Sequence, residues 1–247
     1  MRPFAVFGSH TAQRRMLHPK TGILYTKIYS LQIMKTIEEF FNRQHIFLYG
    51  TGRPDASVLP FLQLPYCISF ALPFSKAVIA QITEAPTKLY FKHYRMANEY
   101  LDHTATALCQ LLIAQGFDAA AIPASQSVSA DGLAGTFPHK TAAVLCGLGS
   151  IGENGLLLTQ KFGAGVRLST VFTSKPLPQA QKAPDLCRHC GACAHACPAG
   201  AIYGTPFRRD AEMLDRSLCS AYMKKAYRDI GRGSVCGRCI AVCPLCK

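Results

Sequence analysis

The spacing of cysteines toward the end of the chain constrains the fold more than any other feature. Residues 187–198 read C-x2-C-x2-C-x3-C-P, through Cys187, Cys190, Cys193, Cys197 and Pro198. Runs of this kind hold iron–sulfur clusters, the fourth cysteine serving the other of two clusters. The spacing has a chemical reason. Three thiolates on a tight loop of Gly and Ala can cap three irons of a cubane, and the small residues let backbone N–H groups approach the sulfurs. Pro198 stops the turn that carries the fourth thiolate from folding back. A second run, Cys236, Cys239, Cys243 and Pro244, reads C-x2-C-x3-C-P and lacks one thiolate. Cys219, seventeen positions before Cys236, is the obvious supplier. The crossed rule gives one [4Fe-4S] cluster Cys187, Cys190, Cys193 and Cys243, and the other Cys197, Cys219, Cys236 and Cys239. Structural zinc competes, but it favours paired C-x2-C half-sites over three cysteines in one run. Disulfides compete less well, because this spacing without an export signal reads as metal.

The 247 residues can hold one large domain, or a moderate core plus a small appended unit. At 49% hydrophobic and 17% charged residues, the chain has ample material for a buried core. The formal net charge is +13. Two clusters of about −2 each would bring the loaded protein to about +9. That surplus permits an acidic partner such as nucleic acid or a negatively charged redox protein, and equally suits an ordinary basic soluble protein. The start has only a brief apolar patch and no secretory signal, and oxygen-sensitive clusters fit a reducing cytoplasm. The uncharged stretch Ala56 to Ser75 has the length of a membrane span, but Pro60, Pro65 and Pro73 would break a lone helix there. It reads as a loop leading into a buried strand at Tyr66–Leu72, and no membrane partner is expected.

Residues 1–33 contain five Lys or Arg and no Asp or Glu. They are either a basic targeting or binding extension or sequence upstream of the true start. Met34, Ile37, Phe40 and Phe41 then follow helical spacing. A short strand is expected at Ile46–Tyr49, followed by a turn-rich loop at Gly50–Asp55. The aromatic, basic stretch Pro86–Arg95 reads as the start of a helix whose rings fill the core. Leu101, Ala105, Leu108, Leu112 and Ala114 continue an amphipathic helix that Gly116 stops. Phe117–Pro123 starts the next strand, and Ser125 to Gly135 is a small polar loop suited to a ligand or simply to flexing. Thr141–Cys146 reads as a strand, with His139 and Lys140 in a surface turn before it. The strand runs into Gly147, Gly149 and Gly152, a G-x-G-x-x-G match. That pattern can hold a dinucleotide phosphate on a helix N-terminus. The acidic residue wanted about 20 positions on is missing from Val166–Lys175, so the glycines signal close approach to a packed strand or a bulky anionic ligand. Cys67, Cys109 and Cys146 sit among apolar neighbours as small buried hydrophobes. His189 and His195 lie within the cluster loop, where they tune or shield rather than ligate. Pro176–Pro184 is a linker by composition. It divides an α/β domain at 34–178 from a cluster domain at 179–247.

The passage Ala142–Gly155, then Phe162-Gly163 and Arg167, then Phe172–Leu177, resembles the core shared by epoxyqueuosine reductases and corrinoid reductive dehalogenases. Both families place their double-cluster cysteines shortly after it, as here. Cys219-Ser220-Ala221-Tyr222 resembles the lone-cysteine element of epoxyqueuosine reductases. The likeness covers about residues 86–244. It implies an α/β (α+β) N-terminal cobalamin-binding domain followed by a ferredoxin-like double [4Fe-4S] domain. It also implies that the clusters pass electrons from a low-potential ferredoxin or flavodoxin to a base-off cobalamin. In epoxyqueuosine reductases that cofactor removes the epoxide oxygen from a queuosine-type tRNA base, with an Asp as proton donor. By the same likeness Gly147, Gly149, Gly152 and the loop from Ser125 to Gly135 would border the corrinoid.

The resemblance breaks in three places. Asn98 stands near the expected Asp, and an amide cannot donate a proton as a carboxylic acid does, which leaves Glu99, Tyr94 and Asp102 as candidate donors. The chain ends three residues after Pro244, where the larger enzymes continue into a helical-repeat region for tRNA. A short form acting on something other than intact tRNA is therefore expected. Cys246 has no counterpart among the ligands and is a spare thiol. Two alternatives to a queuosine-type reductase stay open: a non-catalytic ferredoxin-type electron carrier with a docking domain, and a corrinoid reductase of another small substrate.

Overall fold

A computed structural model describes residues 34–125, 127–204, 213–231 and 235–246, so the basic stretch 1–33 lies outside the described residues. The spine is an antiparallel pair, β2 (Tyr66–Pro73) and β6 (Val166–Thr173), matched along their full length with Tyr66 opposite Thr173 and Pro73 opposite Val166. Strand β1 (Leu48–Gly52) flanks β2 and β3 (Ala119–Ile122) flanks β6, which gives a four-stranded sheet ordered β1-β2-β6-β3. Cys67 to Ala71 are all buried, without the in–out alternation of a sheet with one wet face. Both faces are covered.

One face carries Cys67, Ala71, Leu168 and Phe172, which gather with Ala142, Ala143 and Cys146. The intervening residues Ile68, Phe70 and Val171 are fully buried and point the other way. There the Phe70 ring lies 5.1 Å from that of Phe41. Residues 34–43 are helical (α1), and a single turn α2 (Lys76–Ile79) follows β2. The long helix α3 (Lys88–Ala114) packs along β6 and β3. Its buried Leu101, Ala105, Leu108 and Leu112 recur at helical spacing. Thr87 caps it by accepting the Tyr90 N–H at 3.0 Å, and Gly116 in the left-handed region (φ 84°) ends it.

Two sequence expectations need correction. Thr141–Cys146 is not a strand: it belongs to helix α4 (His139–Leu145) and its cap. Ala142, Ala143 and Cys146 bury one helical stripe on the sheet, and an apolar run this short carries no period that separates helix from strand. The first strand starts later than expected and takes in Gly50 and Gly52. A Cβ on Gly50 would sit 2.0 Å from the Cys146 carbonyl oxygen, so glycine lets α4 lie against β1. Cys67 and Cys146 are buried as expected, their sulfurs 3.6 Å apart.

Residues 176–191 form no helix or strand, yet they are anchored. Thr51 Oγ1 donates to Pro178 O at 2.7 Å, and Gln179 Nε2 donates to Leu145 O at 2.6 Å. Residues 39–247 accordingly cohere as one compact unit. The two cysteine runs repeat one local design. Each has a left-handed glycine, Gly191 (φ 66°) or Gly237 (φ 78°), opening a one-turn helix, Ala192–His195 or Arg238–Ala241. No described helix is long and apolar enough to cross a membrane.

Candidate functional site

The first cysteine loop is shaped by side chains outside the run. Asp185 Oδ1 accepts the Cys187 N–H at 2.9 Å. His189 takes positive φ (48°), unusual for a residue with a side chain. Its ring bridges Asp185 Oδ2 at 3.1 Å and the buried Glu153 Oε1 at 3.3 Å. Hydrogen bonding to Asp185, then to Glu153, raises the His189 pKa above its usual value. Cys187, Cys190, Cys193 and Cys243 line one small apolar cavity together with Gly152 and Glu153. Cys246 is held behind Cys243. Its sulfur accepts the Ala164 N–H at 3.2 Å, and its thiol donates to Cys243, which lowers the Cys243 pKa to about 6.

The second group is assembled from three segments. Cys219 lies on the helix Arg216–Ala226, whose cap Asp215 accepts the Leu218 N–H at 2.8 Å. Cys236 and Cys239 flank Gly237, and the Cys197 sulfur accepts the Ala201 N–H at 3.4 Å. These thiols sit close enough to repel one another's charge. Burial, then Cys236 and Cys197, pushes Cys219 up to about 11. Cys239 is pushed up further, by burial first and then by Cys236, Cys219, Cys193 and Cys197. Cys193, a member of the first group, therefore lies near the second. Half-buried thiols that resist ionisation in each other's company are what a bound cation deprotonates and satisfies. The only buried side-chain N or O atom without a hydrogen-bond partner among the described residues is Arg238 Nε, next in sequence to Cys239. Eight thiols in two groups with such a donor fit two iron–sulfur clusters.

Beside these loops lies a cleft of about 310 Å³ between α3, the segment after β3, the start of α4 and β6. Most of its wall is apolar, with Tyr94, Ser125, His139, Lys140 and Arg167 supplying the polar groups. An outer trough shares Tyr94 and Ser125 with it and reaches Asn98, Glu99 and Asp102. The three candidate proton donors are thus brought together, but differently occupied. Tyr94 Oη and Ser125 Oγ are 3.0 Å apart, at the junction of cleft and trough. Asp102 Oδ1 is committed to the Ala124 N–H at 2.7 Å. Glu99 is 65% exposed and pairs with Arg95 at 3.7 Å.

Asn98 has a role the sequence did not reveal. Its Oδ1 accepts from Arg167 Nε at 2.9 Å, while Arg167 Nη2 donates to Ala124 O at 3.1 Å. His139 is no surface turn. One ring nitrogen lies 2.9 Å from Pro123 O and the other 2.9 Å from Thr170 Oγ1. A carbonyl only accepts, so Nε2 carries the proton and Nδ1 accepts from Thr170. Lys140 likewise folds inward onto Gly155 O.

The glycines approach protein. A Cβ on Gly147 would meet Gln181 O at 2.5 Å, one on Gly149 would meet Leu158 O at 1.9 Å, and one on Gly152 would meet the Leu158 side chain. They pack the hairpin of β4 (Ser150–Ile151) and β5 (Leu157–Leu158). Gly152 borders the first cysteine cavity; of the three glycines and the loop expected around a corrinoid, the loop's ends Ser125 and Gly135 line the cleft and the glycines do not. Cleft and second cysteine group share a wall. Ile240, adjacent to Cys239, lines the cleft, as does Tyr90, and both belong to the apolar cluster against which Cys239 packs.

Comparison with known proteins agrees with this layout. Residues 186–245 match the 4Fe-4S double cluster binding domain. Tetrachloroethene reductive dehalogenase of Desulfitobacterium hafniense is 39% identical over 117 residues, 41% of this chain and 21% of that protein. Epoxyqueuosine reductase of Pseudomonas aeruginosa is 30% identical over 177 residues, 67% of this chain and 46% of that protein. The chain therefore spans about a fifth of the former relative and under half of the latter. Among solved structures, the catabolic reductive dehalogenase NpRdhA superposes with a TM-score of 0.67 at 18% identity, over 82% of this chain and 30% of that one. Epoxyqueuosine reductase from Streptococcus thermophilus gives 0.56 at 17% identity, over 87% and 66%. The chain thus carries a double [4Fe-4S] cluster-binding domain within the fold that epoxyqueuosine reductases and reductive dehalogenases share.

Proposed function

We propose that the protein is an iron–sulfur oxidoreductase that passes electrons through two [4Fe-4S] clusters to a corrinoid in the cleft. There a queuosine-type substrate would be reductively deoxygenated. One observation carries this reading: Tyr90 and Ile240 line the cleft and also form part of the apolar cluster against which Cys239 packs. An electron carrier alone has no use for a polar-tipped cleft against its cluster. In the assignment, one cluster takes Cys187, Cys190, Cys193 and Cys243, and the other takes Cys197, Cys219, Cys236 and Cys239. Residues 34–178 form the cofactor-binding part and 179–247 the electron-entry part, fed in the cytoplasm by a low-potential ferredoxin or flavodoxin.

A corrinoid, when bound, supplies a strongly reducing metal centre. The apolar wall of the cleft suits the flat face of such a ring, and the polar groups at its rim suit the ring's amides. The chain's own residues do the rest. Tyr94 holds the proton destined for the leaving oxygen, and Ser125 Oγ fixes the direction of its hydroxyl. Arg167 lies over the Tyr94 ring and places positive charge beside the phenol as it gives up that proton. Asp102 holds the Ala124 peptide, and through it the Ser125 end of the loop. Asn98 in place of a carboxylic acid favours a second reading, in which another small organic substrate is reduced at the same site with Tyr94 in the same role.

The test is anaerobic reconstitution of the full chain with iron, sulfide and cobalamin, followed by gel filtration. About eight iron atoms and one cobalt should co-elute, and an epoxyqueuosine-containing RNA stem loop offered with a reductant should be deoxygenated. Iron without cobalt, with clusters that reduce reversibly, would leave only the carrier. In Cys193→Ala the iron content should fall by one cluster.

A further inference from the structure

Arg238 stands between Cys236 and Cys239, one residue after the left-handed Gly237. Its guanidinium is held from one side only. Nη1 donates to Glu84 O at 3.0 Å and to Glu84 Oε2 at 3.1 Å. The Arg238 side chain is 18% exposed, whereas that of Glu84 is 90% exposed, so the pair runs inward from the surface. The inward nitrogen, Nε, is buried and has no acceptor. A charged N–H buried without a partner is costly, and it is best explained by an acceptor that belongs to the complete protein. In the chain Arg238 lies between two cysteines of the second set, two residues after Cys236 and next to Cys239. Burial pushes the Cys236 thiol up, and the charge of Arg238 is among the groups that oppose it.

We propose that Arg238 is the hydrogen-bond donor that sets the reduction potential of the cluster held by Cys197, Cys219, Cys236 and Cys239. Glu84 acts as the positioning residue that holds the guanidinium for it. The acceptor is sulfur, either a bridging sulfide or a cysteine thiolate, and the chemistry is the same for both. Adding an electron to a [4Fe-4S] cluster increases the negative charge on its sulfurs. A donor and a cation beside them stabilise the reduced form more than the oxidised one and so raise the potential. This cluster shares its wall with the cleft, so its potential governs the driving force for the electron that leaves toward whatever the cleft holds. The inference rests on the ligand assignment proposed above and is independent of the corrinoid and of the substrate.

The experiment is a redox titration of the anaerobically reconstituted full chain, followed by electron paramagnetic resonance, with iron counted on the same samples. Arg238→Lys keeps the charge but has no Nε–H in that place, and Arg238→Met removes both. With iron at the wild-type level, one of the two midpoint potentials should become more negative in Arg238→Lys and more negative again in Arg238→Met. The other midpoint should stay where it was. Glu84→Ala, which removes the carboxylate but leaves the residue-84 carbonyl holding Nη1, should lower the same midpoint by less than Arg238→Met does. Two unmoved midpoints in fully loaded Arg238→Lys and Arg238→Met protein would overturn the proposal. So would loss of iron from Arg238→Lys, since the four thiolates alone are held to bind the cluster. Wild-type protein short of about eight iron atoms would overturn the ligand assignment itself, a failure read from the metal count and not from the potentials.

Discussion

The guanidinium of Arg167 lies 4.4 Å above the ring of Tyr94, and the same side chain ties Asn98 to the carbonyl of Ala124. The phenol is therefore fixed in plane by the cation and in direction by Ser125. Tyr94→Phe keeps the ring and its stacking and removes only the hydroxyl. Stability should change by about 1 kcal/mol or less, the worth of one exposed hydrogen bond. Iron and cobalt content should be unchanged, while reductive turnover should fall by about 100-fold or more, the range of a lost general acid. Single-turnover rates of loaded protein check this. An undiminished rate would remove Tyr94 as proton donor.

Arg167 itself should matter for folding as well as for chemistry. Arg167→Met leaves the buried Asn98 amide and the Ala124 carbonyl without their charged donor. A loss of about 2–3 kcal/mol is expected in urea unfolding of the reconstituted protein. Arg167→Lys should recover little of this, because one ammonium cannot reproduce a planar fork that reaches two acceptors while stacking on a ring.

The two cysteine runs were legible in the sequence because their spacing is local, and local spacing survives folding. The strand at Tyr66–Pro73 and the helix ending before Gly116 were legible for the same reason: length, period and a stop signal are all written within the segment. What could not be read was contact at a distance. Asn98 and Arg167 are 69 residues apart, and nothing in either neighbourhood announces their bond. Helix α4 reads as a strand in the sequence because the short run Ala142–Cys146 is apolar throughout and fits either period. The glycine loop showed that backbone must come close to something. Only the fold identifies that something as Leu158 and Gln181.

His139 gives the fold a pH dependence of definite sign. Burial, and then the charge of Arg167, lower its pKa below the usual 6.5, with Pro123 O and Asp102 opposing. The native state holds the imidazole neutral, and the unfolded chain takes up a proton near its ordinary value. The resulting stability is complete above pH 6.5 and is lost as the pH falls through the native pKa. His189, with its raised pKa, works in the opposite sense. The comparison must therefore be between wild type and His139→Gln. Wild-type stability should fall more steeply between about pH 6.5 and 5 than that of the variant, as measured by urea midpoints across that range. Parallel curves would show that His139 is not held neutral.

The glycine loop separates two reasons for conserving space. Gly149 does not need an unusual backbone angle: its constraint is the Leu158 carbonyl oxygen, 1.9 Å from where a Cβ would be. Gly116 is the reverse case, with φ of 84° and nothing within 4 Å of a Cβ. Gly116→Ala should therefore cost only the left-handed conformation, about 1 kcal/mol. Gly149→Ala forces backbone apart between β4 and its partner β5, and should cost about 3 kcal/mol or more, or leave the protein insoluble. Urea unfolding of the two variants side by side is the measurement. If the loop instead existed to admit a ligand, Gly149→Ala would fold as well as Gly116→Ala and fail only in binding.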